Sequence, residues 1–275
     1  MSAMQIGVAA ACTDETLRPD EVARLVEDHG FDFLVLGEHS HIPASRETPY
    51  PGGELPRDYI RLTELFVSLT AAAMVTSRIR LVSGIIQLAQ RHPITCAKEA
   101  ATLDWLSGGR LDLIAGTGWN LEEMRNHGID PERKYDVVRE HVLAMKEIWG
   151  NDTATFEGEF VSFHEIWSWP KPVQPGGVPL ILGGNSPGSE ERAIAYGDGW
   201  APIALPGTAE RIRAFVDAGN TLPVVAFGVP TDPAEIEAYA SAGTHRIVLM
   251  LGAARPGQIE RSLEEIRRSV ATAVR

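Results

Sequence analysis

Three residues suited to proton chemistry follow an apolar run, 33–37, that predicts a buried strand: Glu38, His39 and His41. His39 is the strongest candidate for proton transfer, because imidazole titrates near neutral pH and both accepts and donates protons. A structural His that bonds a backbone carbonyl is the alternative. Glu38 either orients His39 or caps a loop, and His41 is either functional or a surface residue. Since adjacent strand positions point to opposite faces, only some of these side chains can converge.

A glycine-rich turn follows another short apolar run and precedes a predicted helix. Its residues are Gly183, Gly184, Asn185 and Ser186. Glycine allows backbone N–H groups to converge, and the N-terminus of a helix favours an anion. Many turns between strands and helices contain glycine pairs without binding anything. We nevertheless interpret this turn as a phosphate site.

Further strand ends carry small or aromatic residues that suit a flat ligand. Gly84 followed by the β-branched Ile85 indicates either a bulge beneath a planar ring or an ordinary strand end. The next strand runs into a Gly-Thr-Gly-Trp segment that contains Thr117 and Trp119, and Trp200 lies in a later strand. We place the first three of these residues against a cofactor and the two tryptophans against a substrate.

All these candidates lie at or near predicted strand ends, and residues 80–120 show the pattern most clearly. An apolar strand leads to an Arg-His-Pro helix start, an amphipathic helix, a Ser-Gly-Gly-Arg turn and a second apolar strand. Strands that are apolar on both faces suit a parallel sheet covered by helices. Eight such units predict an α/β fold, a (β/α)8 TIM barrel, whose active site lies at the carboxyl ends of its strands.

The expected element bounds follow from the same periodicity. The predicted strands are 4–10, 33–37, 79–85, 111–115, 179–182, 199–203, 222–228 and 246–251. The predicted helices are 19–29, 60–75, 93–107, 131–149, 189–196, 208–218, 233–242 and 256–273, with a turn at 121–126.

Residues 150–177 interrupt this alternation and are interpreted as an insertion, with a small hairpin at 156–160. An open doubly wound sheet is the weaker alternative, because residues 9–12 read Ala-Ala-Ala-Cys where a dinucleotide fold requires a glycine motif. No change of composition marks a second domain. We therefore expect one domain over residues 1–275.

Composition narrows the class of protein. A formal net charge of -12 argues against non-specific binding to nucleic acid, and no apolar stretch approaches the roughly 18 residues of a membrane span. The N-terminus lacks the basic region of a signal peptide. Cys12 and Cys96 have neither a CxxC partner nor metal-ligand spacing, which indicates a reducing cytoplasm. We expect a cytoplasmic protein that acts on a small molecule, without a membrane, nucleic-acid or metal partner.

Four linked segments resemble the bacterial luciferase-like superfamily, and most closely its branch that uses the deazaflavin coenzyme F-420. In chain order they are RHPITCAKEAATLDWLSGGRLDLIAGTGW at 91–119, KEIW at 146–149, FEGEFVSF at 156–163 and PLILGGNSPGSEERAIAYGDGW at 179–200. The resemblance covers about residues 5–205. It implies a (β/α)8 barrel with an insertion, in which the ring of the coenzyme lies in the barrel mouth.

The resemblance also implies roles for individual residues. The peptide bond between Gly84 and Ile85 would be a non-proline cis bond behind the ring, and Glu38 with His39 would form an acid–His pair near its reactive carbon. The turn that starts at Gly183 would bind the phosphate. Members of this family often form homodimers, but the sequence locates no interface, and the oligomeric state stays open.

The resemblance implies hydride transfer between a substrate and coenzyme F-420 (8-hydroxy-5-deazaflavin). The first alternative is a monooxygenase that uses reduced FMN and O2. The second is a non-catalytic protein that stores or carries the deazaflavin.

Two positions depart from the sugar-phosphate dehydrogenases of this branch. Those enzymes carry a Trp shortly after the strand-2 His and a Glu after Gly-Thr-Gly, where this chain has about Pro43 and Trp119. Trp119 instead indicates an aromatic wall and an apolar or aromatic substrate. The long loop at 40–57, with Tyr50 and Arg57, is expected to form part of the pocket rim.

Overall fold

A computed structural model describes residues 4–273 of the chain. Its strands are β1 (Gln5–Ala11), β2 (Phe33–Leu36), β3 (Arg80–Gln87), β4 (Leu111–Gly116), β5 (Ala154–Glu157), β6 (Ser162–Ile166), β7 (Leu180–Gly183), β8 (Gly199–Ala201), β9 (Val225–Val229) and β10 (Arg246–Ala253). Its helices are α1 (Pro19–Asp28), α2 (Leu65–Ala73), α3 (Pro93–Ser107), α4 (Leu121–Asn126), α5 (Lys134–Gly150), α6 (Ser189–Tyr196), α7 (Thr208–Asp217), α8 (Pro233–Ser241) and α9 (Ile259–Ala273).

Eight of these strands form a nearly closed parallel barrel with helices between them. The sheet order is β8-β7-β4-β3-β2-β1-β10-β9. Two isolated parallel bridges, Trp200 to Val224 and Ile203 to Phe227, join the two ends of the sheet. The predicted (β/α)8 architecture is confirmed.

The inside of the barrel is filled by apolar side chains. These are Ala9, Phe33, Val35, Val82, Ile114, Ile181, Ala201, Val225 and Val248. The packing is tight enough to require glycine on β1, because a Cβ added to Gly7 would lie 2.2 Å from the Phe33 ring. The interior is therefore a packed core, and ligands are expected at the rim.

A charged network joins the amino-terminal ends of three strands at the opposite face of the barrel. Asp112 of β4 accepts hydrogen bonds from Arg80 of β3 at 2.5 Å and from Arg246 of β10 at 2.7 Å. The Asp112 side chain is 2% exposed. Groups at this end of a barrel stabilise the fold and do not reach the active-site face.

The predicted helix at 60–75 is wrong at its start. Residues 57–61 form a separate 3-10 helix, and α2 begins only at Leu65. The break arises because Leu62 bridges to Thr13 in extended conformation and Glu64 then caps α2, its side chain accepting from Val67 N at 2.7 Å. The predicted turn at 121–126 forms the short helix α4.

The insertion forms an antiparallel hairpin of β5 and β6, as predicted. Glu140 of α5 holds its turn, accepting from Glu159 N at 2.9 Å and Phe160 N at 2.8 Å. The insertion thus packs on the outside of the barrel through α5. Among the helices of residues 4–273, none is long and apolar enough to cross a membrane.

Candidate functional site at the carboxyl ends of the strands

His39 lies just beyond β2, and both of its ring nitrogens have partners. Nδ1 is 2.8 Å from Oε2 of Glu123, and the indole Nε1 of Trp119 donates to Nε2 at 3.1 Å. The side chain of His39 is 6% exposed and that of Glu123 is fully buried. The sequence predicted His39 at this face, but it gave no indication of Glu123, which lies 84 positions further along the chain.

The loop after β4 brings Glu123 and Trp119 to His39. Gly118 has a φ of +80°, and a Cβ there would lie 2.2 Å from Oε1 of Gln87. Asn120 then caps α4, its side chain accepting from Glu123 N at 2.9 Å. The close turn at Gly118 and the cap together explain why the Gly-Trp-Asn segment has these residues.

The Glu123 carboxylate is ionised at neutral pH although it is buried. Burial raises its pKa, but the hydrogen bond from His39 outweighs that effect, and the pKa lies below its ordinary value. The backbone N–H of Ser40 also donates to Glu123, at 3.2 Å. The carboxylate therefore joins the start of the loop after β2 to α4.

Glu38 does not pair with His39, and that expectation is wrong. Its Oε2 accepts from Gln87 N at 2.7 Å, and its Oε1 accepts from Nε of Arg91 at 2.7 Å. Both carboxylate oxygens of Glu38 are thus occupied by groups at the end of β3 and before α3, and His39 pairs with Glu123 instead. Glu38 therefore takes the alternative role of binding the loop between β3 and α3.

Aromatic rings form one wall of the site beside His39. The rings of Tyr50 and Trp119 are 5.3 Å apart, and those of Tyr59 and His39 are 5.6 Å apart. The hydroxyl groups of Tyr50 and Tyr59 lie 3.0 Å apart, and burial raises the pKa of Tyr59. The loop at 40–57 thus contributes Tyr50 to the rim, as expected. Tyr59, which the sequence interpretation missed, lies in the 3-10 helix.

Two other rim candidates lie away from this wall. The side chain of Arg57 is 64% exposed and pairs with Glu15. His41 lies against α4, where its Nε2 is 2.8 Å from the Asn126 amide and its Nδ1 is 2.9 Å from Ser40 Oγ. The structure therefore groups His41 with the outer side of α4 and not with the aromatic wall.

The end of β3 forms the floor of the site. The peptide bond between Gly84 and Ile85 is cis, as expected, and the pairing of β3 with β4 shifts register there. A Cβ on Gly84 would lie 2.1 Å from Val35, and one on Gly116 would lie 2.6 Å from Ile85. Ile85 packs on the barrel interior beside Gly183, so small residues surround it.

The glycine-rich turn after β7 combines structural and accessible groups. Asn185 is structural, because its amide accepts from Ile203 N at 2.6 Å and donates to Ile203 O at 2.9 Å. Gly184 has open space where a Cβ would be. The Ser186 hydroxyl accepts from Nη2 of Arg192 at 2.7 Å.

Positive charge gathers beside Ser186. Its hydroxyl lies 3.2 Å from that of Tyr135, and the guanidinium of Arg192 lies 4.3 Å from the Tyr135 ring centroid. Lys134 lies 5.5 Å from the same ring centroid. The Arg192 guanidinium donates to Pro187 O and to Ser186 Oγ, and within residues 4–273 neither Arg192 nor Lys134 forms an ion pair with a carboxylate. The cluster can bind an anion, and the sequence interpretation had identified only Ser186 of its members.

Trp200 does not line a substrate pocket, and that prediction is wrong. Its side chain is fully buried, and its ring lies 5.2 Å from that of Phe215 in α7. Its indole N–H donates to Gly184 O at 3.1 Å. Because β8 directs this ring outward, Trp200 supports the glycine-rich turn from behind.

Thr117 lies at the rim, where its hydroxyl donates to Gly118 O at 3.0 Å.

Comparison with known proteins identifies the family. The model of the luciferase-like monooxygenase family matches residues 15–221, which is most of the chain. The chain belongs to this family. An uncharacterized protein of Mycobacterium tuberculosis is 41% identical to the chain over 202 residues, which cover 72% of this chain and 71% of the relative.

Solved structures share the barrel at low sequence identity. The monooxygenase RslO1 from Streptomyces bottropensis superposes with a TM-score of 0.78 at 19% identity, covering 99% of this chain and 100% of that one. An F420-dependent secondary alcohol dehydrogenase in complex with an F420–acetone adduct gives a TM-score of 0.76 at 18% identity, covering 98% and 99%. These similarities establish the fold.

Proposed function

We propose that this protein is an oxidoreductase that transfers a hydride between coenzyme F-420 and an apolar or aromatic organic substrate. The observation that carries the proposal is the position of His39, which is buried at the rim of the barrel between a charged carboxylate and an aromatic wall. An imidazole in this place is suited to the proton transfer that accompanies hydride transfer. The similarity to an F420-dependent secondary alcohol dehydrogenase supports the choice of coenzyme.

The residues present fit such a coenzyme at two places. Gly116 and Gly183 lie beside the Ile85 floor, and residues without side chains allow the close approach of a planar ring. Ser186 and Arg192 offer donors to a phosphate. The deazaflavin, when bound, supplies the hydride acceptor or donor.

The other side chains position the substrate and exclude water. Trp119, Tyr50 and Tyr59 form an apolar surface beside His39, which favours contact with apolar or aromatic groups. Burial strengthens the electrostatic interaction of His39 with Glu123. His39 is then the group that takes or gives the coupled proton.

A monooxygenase that uses reduced FMN is the second candidate. The family model and RslO1 both carry the description monooxygenase, which favours this alternative. Titration of the purified protein with F-420 and with FMN, followed by absorbance and fluorescence, separates the two. We expect tighter binding of F-420. Tighter binding of FMN with consumption of O2 would establish the alternative, and tight binding of F-420 without turnover would indicate a carrier.

The role of His39 is tested by His39→Ala. Loss of general acid–base catalysis is expected to lower kcat by about 100- to 10,000-fold, with little change in the Kd of the coenzyme. His164→Ala, in the exposed insertion hairpin, is the matched control and should leave both quantities unchanged. An equal loss of binding and turnover in His39→Ala would remove the catalytic role.

A further inference from the structure

We propose that Glu123 is a positioning residue that holds His39 as a neutral imidazole protonated at Nδ1, which makes Nε2 the proton-accepting atom of the site. The tautomer is a property of the protein alone. Its consequence for turnover rests on the function proposed above.

The contact at Nδ1 requires a proton on that nitrogen. An ionised carboxylate accepts hydrogen bonds and cannot donate one, so the 2.8 Å contact with Oε2 of Glu123 is a bond donated by His39. Without that proton, the lone pair of Nδ1 would face a buried negative charge. A hydrogen bond to an ionised partner is about twice as strong as one between neutral groups.

The contact at Nε2 requires the opposite state. An indole N–H only donates, so the 3.1 Å contact from Trp119 needs a lone pair on Nε2. Two independent partners, from α4 and from the loop before it, thus select the same tautomer.

One contact favours the other tautomer. The amide nitrogen of Gln87 lies 2.9 Å from Nδ1, and it would donate there if Nδ1 were unprotonated. However, the same nitrogen donates to Glu38 O at 2.8 Å, and the Gln87 carbonyl accepts from Gln90 at 2.8 Å. The amide is therefore satisfied without Nδ1, whereas the Glu123 carboxylate would lose a charge-assisted bond.

The titratable groups that face the imidazole are few. Glu123 approaches from α4 and Tyr59 from the 3-10 helix, while His41 lies near the far side of the carboxylate. Glu123 is the only one of these with an ion-pair contact to the ring among residues 4–273. If Nε2 accepts a proton from a substrate O–H or N–H group, the imidazolium that forms is stabilised in place by Glu123. A substrate group that gives its proton to Nε2 must therefore displace the indole N–H of Trp119 from that atom.

The tautomer is measured by ¹⁵N NMR of the full chain at about pH 8, above the ordinary imidazole pKa of about 6.5. We expect His39 Nδ1 to have the chemical shift of a protonated nitrogen and Nε2 that of an unprotonated one. The reverse assignment would overturn the proposal and would mean that Gln87 determines the tautomer.

Two variants extend the test. Glu123→Gln keeps the shape but offers both a donor and an acceptor, so we expect a mixture of tautomers. Glu140→Gln is the matched control, because Glu140 also accepts backbone N–H bonds but lies at the insertion. Trp119→Phe should shift the Nε2 signal and leave Nδ1 protonated, which tests the proposal even if Glu123→Gln does not fold. An unchanged tautomer in Glu123→Gln would mean that Trp119 alone selects it, which contradicts the role of Glu123.

Turnover provides a separate measurement. In Glu123→Gln we expect kcat to fall about 100-fold, within the range of general acid–base catalysis, with KM and coenzyme Kd unchanged. The dependence of kcat on pH should shift as well, whereas a purely structural loss would leave it unshifted. If the coenzyme does not bind, the proposed function fails while the tautomer result stands.

Discussion

At the scale of single residues, the site depends on which partners each polar side chain finds. His39 and Ser186 lie where the sequence predicted them, because both follow apolar runs that end at the same face of the barrel. Glu123 could not be predicted, because its partner His39 lies 84 positions away in the chain. Arg192 was missed although its partner Ser186 lies in the turn just before α6. Neighbours in the chain, in turn, need not be partners in the fold. Glu38 is adjacent to His39 in sequence but binds Arg91.

The Ser186 cluster leads to a prediction about the coenzyme. Arg192→Ala removes a cation that no carboxylate within residues 4–273 neutralises, so we expect the Kd of a phosphate-bearing coenzyme to rise about 10- to 100-fold, as for loss of a charge-assisted hydrogen bond. Fluorescence titration at low and high salt measures the effect, which should shrink as salt increases. Arg213→Ala, at an exposed position of α7, is the control. Equal affinities in the two variants would exclude Arg192 from the site.

At the scale of elements, the periodicity predicted the eight barrel strands and the helices that follow the same rhythm. It did not predict that 57–61 and α2 are separate or that α4 is a helix. These short elements depend on tertiary contacts and caps, such as the bridge from Leu62 to Thr13, and have no periodicity of their own. They are also the elements that contribute Tyr59 and Glu123.

The cap of α4 has a measurable effect. Asn120→Ala removes the side-chain bond to Glu123 N and should lower the free energy of unfolding by about 1 kcal/mol, measured by urea denaturation. Because the same bond orients Glu123, we also expect slower turnover. Asp232→Ala removes the equivalent cap of α8 and should cost similar stability with unchanged turnover. Equal turnover in both variants would show that the cap does not position the site.

At the scale of the whole molecule, the barrel separates its stabilising face from its rim. The Asp112 network lies at the amino-terminal ends of the strands, and the apolar interior stands between it and the site. From the sequence, the fold class alone predicted that the site lies at the carboxyl ends of the strands, and the Asp112 network was not predicted. It did not predict the outward direction of Trp200, because β8 has only three residues and no alternation to interpret.

The opposite face provides a prediction about stability. Asp112→Ala leaves Arg80 and Arg246 without their shared carboxylate, and we expect the free energy of unfolding to fall by about 3 kcal/mol. Chemical denaturation measures this loss. Coenzyme affinity in the folded variant should match that of the original protein, and a weakened affinity would mean that the two faces are coupled.

The filled interior beneath Ile85 has a consequence for traffic through the site. Among residues 4–273, Phe33, Val35 and their neighbours fill the barrel axis, so we expect ligands to reach the floor from the rim. A ligand that contacts the Ile85 floor must bind before a second ligand covers it, and it can dissociate only after that second ligand has left. Two ligands stacked at this site therefore bind in a fixed order, in which the deeper ligand binds first and dissociates last.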